Sequence, residues 1–176
     1  MQAIEMTAEM MTAEMTVRLL QSDSILVPLY ETDFYAWTQQ QAALVRDGRW
    51  EDVDRSNLIE EIESLGKQQR QELRNRLGVL LGHLLKWQFQ PNARSRSWLS
   101  TLRLQRLEIT DLLDDNPSLK PYVEEAIDRA YLRGLAIAID ETNLPDESFP
   151  PICEYTLEEM LDREFYPGEE SEWSDG

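Results

Sequence analysis

Apolar residues recur at helical spacing along most of this chain, and the longest series runs from residue 58 to residue 89. Its members stand three, four or a few more residues apart: Leu58, Ile62, Leu65, Leu73, Leu77, Leu80, Leu84 and Trp87. This period indicates one long amphipathic helix whose apolar stripe faces a core. Asp54 is the expected N-terminal cap, and the helix must end before Pro91, because proline disfavours a helical residue in front of it.

Capping residues and periodicity predict further helices on both sides of the long one. The first expected helix is capped by Thr32 or Asp33 and ends at Asp47, where Gly48 tolerates a left-handed stop. The other expected spans are Ser97 to Asn116, Ser118 to about Asp140, and a short last helix after a capping box formed by Thr156 and Glu159. In the Ser97 helix we expect Arg103 and Arg106 to point outward. No alternating, strand-like run occurs. The predicted fold is all-α: a single-domain bundle of four main helices plus a short C-terminal helix, with one long central helix and no sheet.

Two glycines lie one helical turn apart inside the long helix. Gly78 and Gly82 interrupt good helix formers, and each costs about 1 kcal/mol relative to alanine. A compensating contact is therefore expected. We predict that another helix approaches closely at these two positions.

The length and the ends of the chain suggest one domain with two appendages. The 176 residues suit a single core. The segment 6–10 is repeated at once as 11–15, which makes the N-terminus Met-rich by tandem duplication. We expect residues 1–29 to be a disordered Met-rich leader, residues 30–167 to form the bundle, and residues 168–176 to be a disordered acidic tail.

Charge is distributed in blocks beneath an overall net charge of −17. Between Lys67 and Arg106 nine basic residues stand against Glu72 alone, whereas from Asp140 onward 13 acidic residues stand against Arg163 alone. One interpretation is that the acidic segment folds back and neutralises the basic stretch. The other is that the basic stretch binds nucleic acid or another polyanion, which the overall negative charge disfavours.

Candidate chemistry is sparse. His83 is the only histidine, and a lone histidine at the margin of an apolar stripe is usually structural. The paired Glu-x-x-His pattern of di-iron bundles is absent, so we expect no metal and no cofactor. Cys153 is the only cysteine, and its acidic neighbourhood should disfavour the thiolate. Without a secretory leader pattern or a membrane-spanning apolar run, we expect a cytoplasmic protein that does not enter a membrane.

Several strings in fixed order carry a family resemblance. They are Tyr35 to Trp50, Leu58-Ile-Glu-Glu-Ile-Glu63, His83-Leu-Leu-Lys-Trp87, Arg94-Ser-Arg96-Ser-Trp98, Pro117-Ser-Leu119 and Tyr155-Thr156-Leu-Glu. In these the chain resembles the family of domain of unknown function 29, from about Tyr30 to Pro167. The resemblance implies a small helical protein of a type common in photosynthetic bacteria. It implies no catalytic residues, because the family has no established activity.

Three functional hypotheses remain open. We favour a protein-interaction or regulatory module without catalytic activity, with an unknown protein partner and a Trp-bearing surface near Trp50, Trp87 and Trp98. The alternative is polyanion binding through the basic stretch, modulated by the acidic C-terminal segment. The least favoured is an enzyme with His83 as base and Lys86 or Arg96 holding an anion. The candidate binding residues are His83, Lys86, Trp87, Arg94, Arg96 and Trp98.

Overall fold

The computed structural model describes residues 28–168, and within that range the regular structure is helical, without a strand. Its α-helices are α1 Leu29–Thr32, α2 Phe34–Arg46, α3 Arg55–Phe89, α4 Arg96–Asp115, α5 Val123–Thr142 and α6 Leu157–Leu161. Short 3₁₀ turns occupy Pro91–Ala93, Pro117–Tyr122 and Asp146–Ser148. The predicted all-α class, with four main helices, a long central one and a short last one, is confirmed.

The chain divides into two compact units, Met1–Ile62 and Glu63–Gly176, with the boundary inside α3. We call their described parts the N-terminal unit (28–62) and the C-terminal unit (63–168). The predicted leader lies outside the described residues apart from its last two, and the predicted acidic tail apart from its first. Those two predictions, and that of a single domain over 30–167, stay predictions.

The N-terminal unit is a helical hairpin whose boundaries follow local capping chemistry. The Asp33 carboxylate accepts the Ala36 N–H at 2.9 Å, so Asp33, one of the two predicted candidates, is the residue that caps α2. The helix ends at Arg46, and Gly48 follows with φ +71°, a left-handed conformation that glycine adopts without steric cost. Asp54 precedes α3 and accepts the Asn57 N–H at 3.3 Å, as its predicted cap.

The C-terminal unit holds a large apolar core between α3, α4 and α5. Its fully buried members include Leu73, Leu77, Leu80, Leu81, Leu84, Leu102, Ile109 and Ala126. At the centre of the core α3 and α5 touch through their backbones. A Cβ atom placed on Gly134 would lie 2.9 Å from the Leu81 Cβ and 3.0 Å from the Gly82 nitrogen. The predicted close approach at Gly78 and Gly82 is therefore present, and its partner is Gly134.

The first part of the predicted apolar stripe is not buried. Ile62 is 60% exposed and Leu65 is 61% exposed, so their assignment to the core is wrong. The buried stripe of α3 begins at Leu73. A helix of 35 residues is about 52 Å long, whereas α4 and α5, with 20 residues each, span about 30 Å and cannot cover all of it.

Two predicted caps are also wrong. Ser95, in extended backbone, caps α4 by accepting the Trp98 N–H at 3.4 Å, so Ser97 already lies within the first turn. Ser118 lies inside a 3₁₀ turn, and α5 begins only at Val123 without a side-chain cap. The reason is Pro121, whose ring disfavours α-helical backbone at the residue before it. The capping box at Thr156 and Glu159 is present as predicted.

Candidate functional site

The six sequence-predicted binding residues lie near the end of α3 and the start of α4, and they divide into two groups. His83, Lys86 and Trp98 form one group, which also includes Glu141 of α5. Trp87 and Arg94 form the other, which also includes Tyr166. Arg96 is exposed in the first turn of α4. The structure therefore does not gather the six side chains into one site.

Lys86 is the centre of the first group. Its side chain is only 1% exposed, and its ammonium is held by the Glu141 carboxylate and lies 4.3 Å from the centre of the Trp98 ring. A buried ammonium needs such partners, because losing its hydration without them is costly. Glu141, which sequence reasoning missed, is half exposed. The arrangement fastens α3 to α4 and α5 and gives Lys86 a structural role.

His83 lies one helical turn before Trp87 and takes part in a backbone contact. Its Nδ1 donates to the Val79 carbonyl at 3.0 Å, which leaves Nε2 as the second ring nitrogen. Burial, followed by the nearby positive charge of Lys86, lowers the pKa of His83 below its usual value near 6.5. The imidazole is therefore neutral at pH 7. A neutral, half-buried histidine bonded to its own helix suits a structural residue.

The second group packs under the C-terminal segment. Trp87 is fully buried, and the Arg94 guanidinium lies 5.0 Å from its ring centre while donating to the Trp87 carbonyl at 2.9 Å. Arg94 also donates to the Pro167 carbonyl at 3.5 Å. Tyr166 covers Trp87 with a ring-centre distance of 5.2 Å. These contacts hold residues 166–167 against the end of α3.

Arg106 is the residue whose role the sequence interpretation missed. It was expected to point outward, but it is only 2% exposed and donates to the carbonyls of Met160, Arg163 and Phe165, the first at 2.9 Å. Burial lowers the pKa of its guanidinium, although arginine stays protonated in proteins. The signal was present in the spacing, because Arg106 stands in the buried series Leu99, Leu102, Arg106, Ile109 and Leu113.

The basic stretch as a whole is therefore only partly available as a surface. Lys86, Arg94 and Arg106, three of its nine cations, are buried. The acidic C-terminal segment does fold back onto α3 and α4, as one interpretation expected. However, Arg94 and Arg106 contact its backbone carbonyls there. Side-chain ion pairs of the stretch include Lys67 with Glu63, Arg76 with Glu72 and Glu108, and Lys86 with Glu141, and of these acids Glu141 is the one from the acidic segment.

Two of the cavities among residues 28–168 belong to the C-terminal unit, and His83 lines neither of these two. One, of about 330 Å³, is lined by Arg103, Leu107, Arg163, Glu164 and Tyr166. The other, of about 450 Å³, is lined by residues of α3 and of the α4–α5 connection, among them Lys67, Arg70, Asn116 and Ser118. Among residues 28–168 no group of three or more histidine, cysteine, aspartate or glutamate side chains is arranged to hold a metal ion. Within the same range no helix is long and apolar enough to cross a membrane.

Cys153 is half-buried, and burial raises the pKa of its thiol. Its sulfur lies 3.6 Å from the Tyr155 carbonyl, which accepts from the thiol. Because the thiolate is the reactive form, a raised pKa makes the side chain less nucleophilic at neutral pH. This agrees with the prediction from its acidic neighbourhood.

The N-terminal unit has an ordered polar junction where α2 meets the start of α3. The Asp54 carboxylate accepts the Trp37 indole N–H at 3.3 Å and the Asn57 side-chain amide at 2.7 Å. The Gln41 side chain in turn accepts the Asp54 N–H at 2.8 Å. Tyr30 donates to the Glu61 carboxylate at 2.6 Å, and this bond raises the tyrosine pKa to about 12. The hairpin is thus fixed by specific hydrogen bonds.

Large apolar side chains are exposed around this junction. They are 36% to 75% exposed, and they comprise Leu29, Phe34, Tyr35, Val45, Trp50, Ile59 and Ile62. Of the three tryptophans proposed for a binding surface, Trp50 is 59% exposed, Trp98 is half-buried and Trp87 is inaccessible. Exposed large apolar residues are therefore most concentrated in the N-terminal unit, away in sequence from most of the residues predicted to bind.

Comparison with known proteins gives one match. No curated protein and no solved structure matches the chain significantly. The family described as Domain of unknown function DUF29 matches residues 29–166, which include every α-helix described above. That span is well over half of the chain and agrees with the resemblance carried by the sequence strings. The chain belongs to the DUF29 family.

Proposed function

We propose that this protein is a cytoplasmic protein-interaction module without catalytic activity, and that its partner binds the exposed apolar surface of the N-terminal unit. The observation that carries the proposal is the seven large apolar side chains left exposed on an otherwise ordered hairpin of 35 described residues. Single exposed apolar residues are ordinary, but a concentration of them is typical of binding surfaces.

The positions of these residues suit a protein partner. On α2, Phe34 and Val45 border the buried series Trp37, Gln41 and Leu44 when plotted at 100° per residue, so the apolar side of the helix continues into solvent. On α3, Ile59 and Ile62 are three residues apart and are therefore neighbours. Tyrosine and tryptophan, the residue types most enriched in binding hot spots together with arginine, are represented by Tyr35 and Trp50.

The polar residues of the C-terminal unit support the same choice. The ammonium of Lys86 and the guanidinium groups of Arg94 and Arg106 have partners inside the unit, which leaves fewer cations for a polyanion. His83 donates one ring proton to its own helix. These contacts give Lys86, Arg94, Arg106 and His83 a role in stabilising the fold, so no binding function is needed to explain them.

The test is co-purification from a native lysate with a matched pair of variants. The first replaces Trp50 and Ile59 by serine. The second replaces Leu132 and Ile152, which are 68% and 71% exposed in the C-terminal unit, by serine. Bound proteins are identified by mass spectrometry, and nucleic acid is stained.

We expect defined proteins that remain bound to the wild type and to the Leu132/Ile152 variant and are lost from the Trp50/Ile59 variant. If the two variants retain the same proteins, the proposed surface is wrong. If nucleic acid is the component that co-purifies and its recovery falls steeply with salt, polyanion binding replaces the proposal.

A further inference from the structure

We infer that the segment bound by the N-terminal unit is a basic amphipathic helix of a partner protein. This inference rests on the proposed function and specifies the chemistry of the partner. Two observations support it: the acidic charge near the exposed apolar residues and the helical spacing of Ile59 and Ile62. The negative charge of the other candidate occupants argues against them.

The N-terminal unit is strongly acidic. Residues 28–62 contain eight acidic and three basic side chains, a net charge of −5. Two of the three basic side chains are paired within the unit, Arg49 with Asp52 at 2.7 Å and Arg55 with Glu51 at 3.6 Å. The exposed carboxylates, unlike the buried cations of the other unit, face water. They are Glu31, Asp33, Asp47, Glu51, Asp52 and Glu60.

The acidic and apolar positions alternate along the same short stretches. Trp50 is followed directly by Glu51 and Asp52, and Ile59 is followed directly by Glu60. Glu60 is exposed and has no ion pair within residues 28–168. Glu51 and Asp52 are paired with Arg55 and Arg49, so Glu60 is the carboxylate next to Ile59 that a positive group of a ligand can pair with.

The apolar residues also determine the shape of a suitable ligand. Ile59 and Ile62, three residues apart on α3, are neighbours on one side of that helix and form a short apolar ridge. A helix of a partner can pack on such a ridge with its own apolar stripe. Lysine or arginine on the flanks of that stripe then meets the acidic positions.

Charge argues against the other available occupants. A second copy of the chain brings the same −5 unit and an overall −17. The segment 1–27 carries four acidic residues and one basic residue, so its net charge has the same sign as that of the unit. An anionic membrane surface fails for the same reason. A basic helix is the occupant for which both the apolar and the electrostatic contributions are favourable.

The experiment uses the full chain and three synthetic peptides of about 18 residues, or five helical turns. The first combines leucine and lysine in a helical amphipathic pattern. The second has the same pattern with glutamate in place of lysine. The third has the composition of the first in an order without a helical apolar stripe. Binding is measured by fluorescence anisotropy of labelled peptide at about 0.15 M and at higher salt.

We expect the patterned leucine–lysine peptide to bind and the other two to bind at least about tenfold more weakly. Its affinity should fall by about tenfold in the Ile59→Ser/Ile62→Ser variant and remain unchanged in Leu132→Ser/Ile152→Ser. Glu60→Lys should weaken binding, whereas Glu124→Lys, at an exposed position of α5, should not. Higher salt should weaken binding as well.

The inference is overturned if no peptide binds, if the glutamate peptide or the unpatterned peptide binds as well as the patterned basic one, or if the Ile59/Ile62 variant binds like the wild type. It is also overturned if sedimentation shows that the wild type self-associates and the Ile59/Ile62 variant does not, since the surface then binds a second copy. Loss of the lysate partner in the Trp50/Ile59 variant without peptide binding would leave the proposed function standing and reject only the basic helix.

Discussion

The two units of this chain differ in how many of their large apolar side chains are exposed to solvent. Of the twelve exposed large apolar residues among positions 28–168, seven belong to the 35 residues of the N-terminal unit and five to the 106 residues of the C-terminal unit. The C-terminal unit buries its leucines among α3, α4 and α5. Helix α3 begins in the N-terminal unit with exposed apolar side chains and ends in the C-terminal unit with buried ones. The difference in exposure therefore comes from the helices packed on its later part.

The two units also treat charge differently. In the C-terminal unit Lys86, Arg94 and Arg106 are buried and are held by a carboxylate, indole rings or backbone carbonyls. In the N-terminal unit most carboxylates are exposed. A block of one charge sign in the sequence therefore has opposite meanings in the two units. In the C-terminal unit the three buried cations of the block stabilise the fold, whereas in the N-terminal unit the carboxylates make the surface acidic.

The largest effect should come from removing Arg106. Arg106→Ala leaves the carbonyls of Met160, Arg163 and Phe165 without their charged donor, and we expect it to destabilise the protein by about 3–5 kcal/mol. Urea unfolding measures the change. Arg129→Ala, which removes an exposed arginine of α5, should cost under about 0.5 kcal/mol. Equal losses in the two variants would contradict a structural role for Arg106.

The second test compares two apolar positions of α3. Leu77 is fully buried, and Leu77→Ala should cost about 2–5 kcal/mol because it opens a cavity in the core. Ile62 is exposed, and Ile62→Ala should change the free energy of unfolding by less than about 0.5 kcal/mol, since alanine is the better helix former. A comparable loss at Ile62 would mean that its side chain is covered and would remove it from the proposed surface.

Local signals in the sequence predicted most of the fold. The Asp33 cap, the glycine stop after α2, the proline stop after α3 and the Thr156 capping box depend on neighbouring residues only, and each is found as predicted. The errors have tertiary or competing local causes. Ile62 and Leu65 continue the period of the core residues, but periodicity cannot say where the partner helices stop. Ser118 has the chemistry of a cap, but Pro121 delays the helix.

The candidate site was less predictable, because it depends on contacts between distant positions. His83, Lys86 and Trp98 were identified, yet Glu141, which holds Lys86, is 55 residues away in sequence. Arg106 was judged by its charge, although its position in the apolar series indicated burial. Its partners are backbone carbonyls, which leave no trace in side-chain composition. The burial of Trp87 agrees with its place in the apolar series of α3, whereas the exposure of Trp50, outside any such series, follows from packing alone.

A third test examines why the two ends of α3 differ in packing. Gly134→Ala places a Cβ against Leu81 and the backbone of Gly82, so we expect a loss of about 1–3 kcal/mol. Gly134 lies on α5, where it faces the later part of α3. Gly66 lies in the exposed early part of α3, and a Cβ placed on it would have no contacting atom within 4 Å. Gly66→Ala should therefore stabilise the protein by up to about 1 kcal/mol. Stability measurements on the two variants should give opposite signs, and a loss at Gly66 would indicate a covered surface there.

The smallest effect concerns pH and belongs to the C-terminal unit alone. Because the pKa of His83 is lowered in the folded protein, the unfolded chain binds a proton first as the pH falls below about 6.5. The free energy of unfolding therefore falls through that range, and the fall ends below the folded pKa. His83→Gln keeps a side chain that can donate to Val79 but cannot titrate, so the difference between variant and wild type should grow in favour of the variant as the pH falls.

Urea unfolding between about pH 5 and pH 8 measures this difference, and since His83 is the only histidine no other side chain of that type contributes. A difference that does not change with pH would mean that the ring is equally hydrated in both states. Binding of the basic peptide to the N-terminal unit provides an internal comparison, because no histidine lies there. The peptide affinity of His83→Gln should match that of the wild type throughout this range, since the substitution lies outside the unit that binds the peptide.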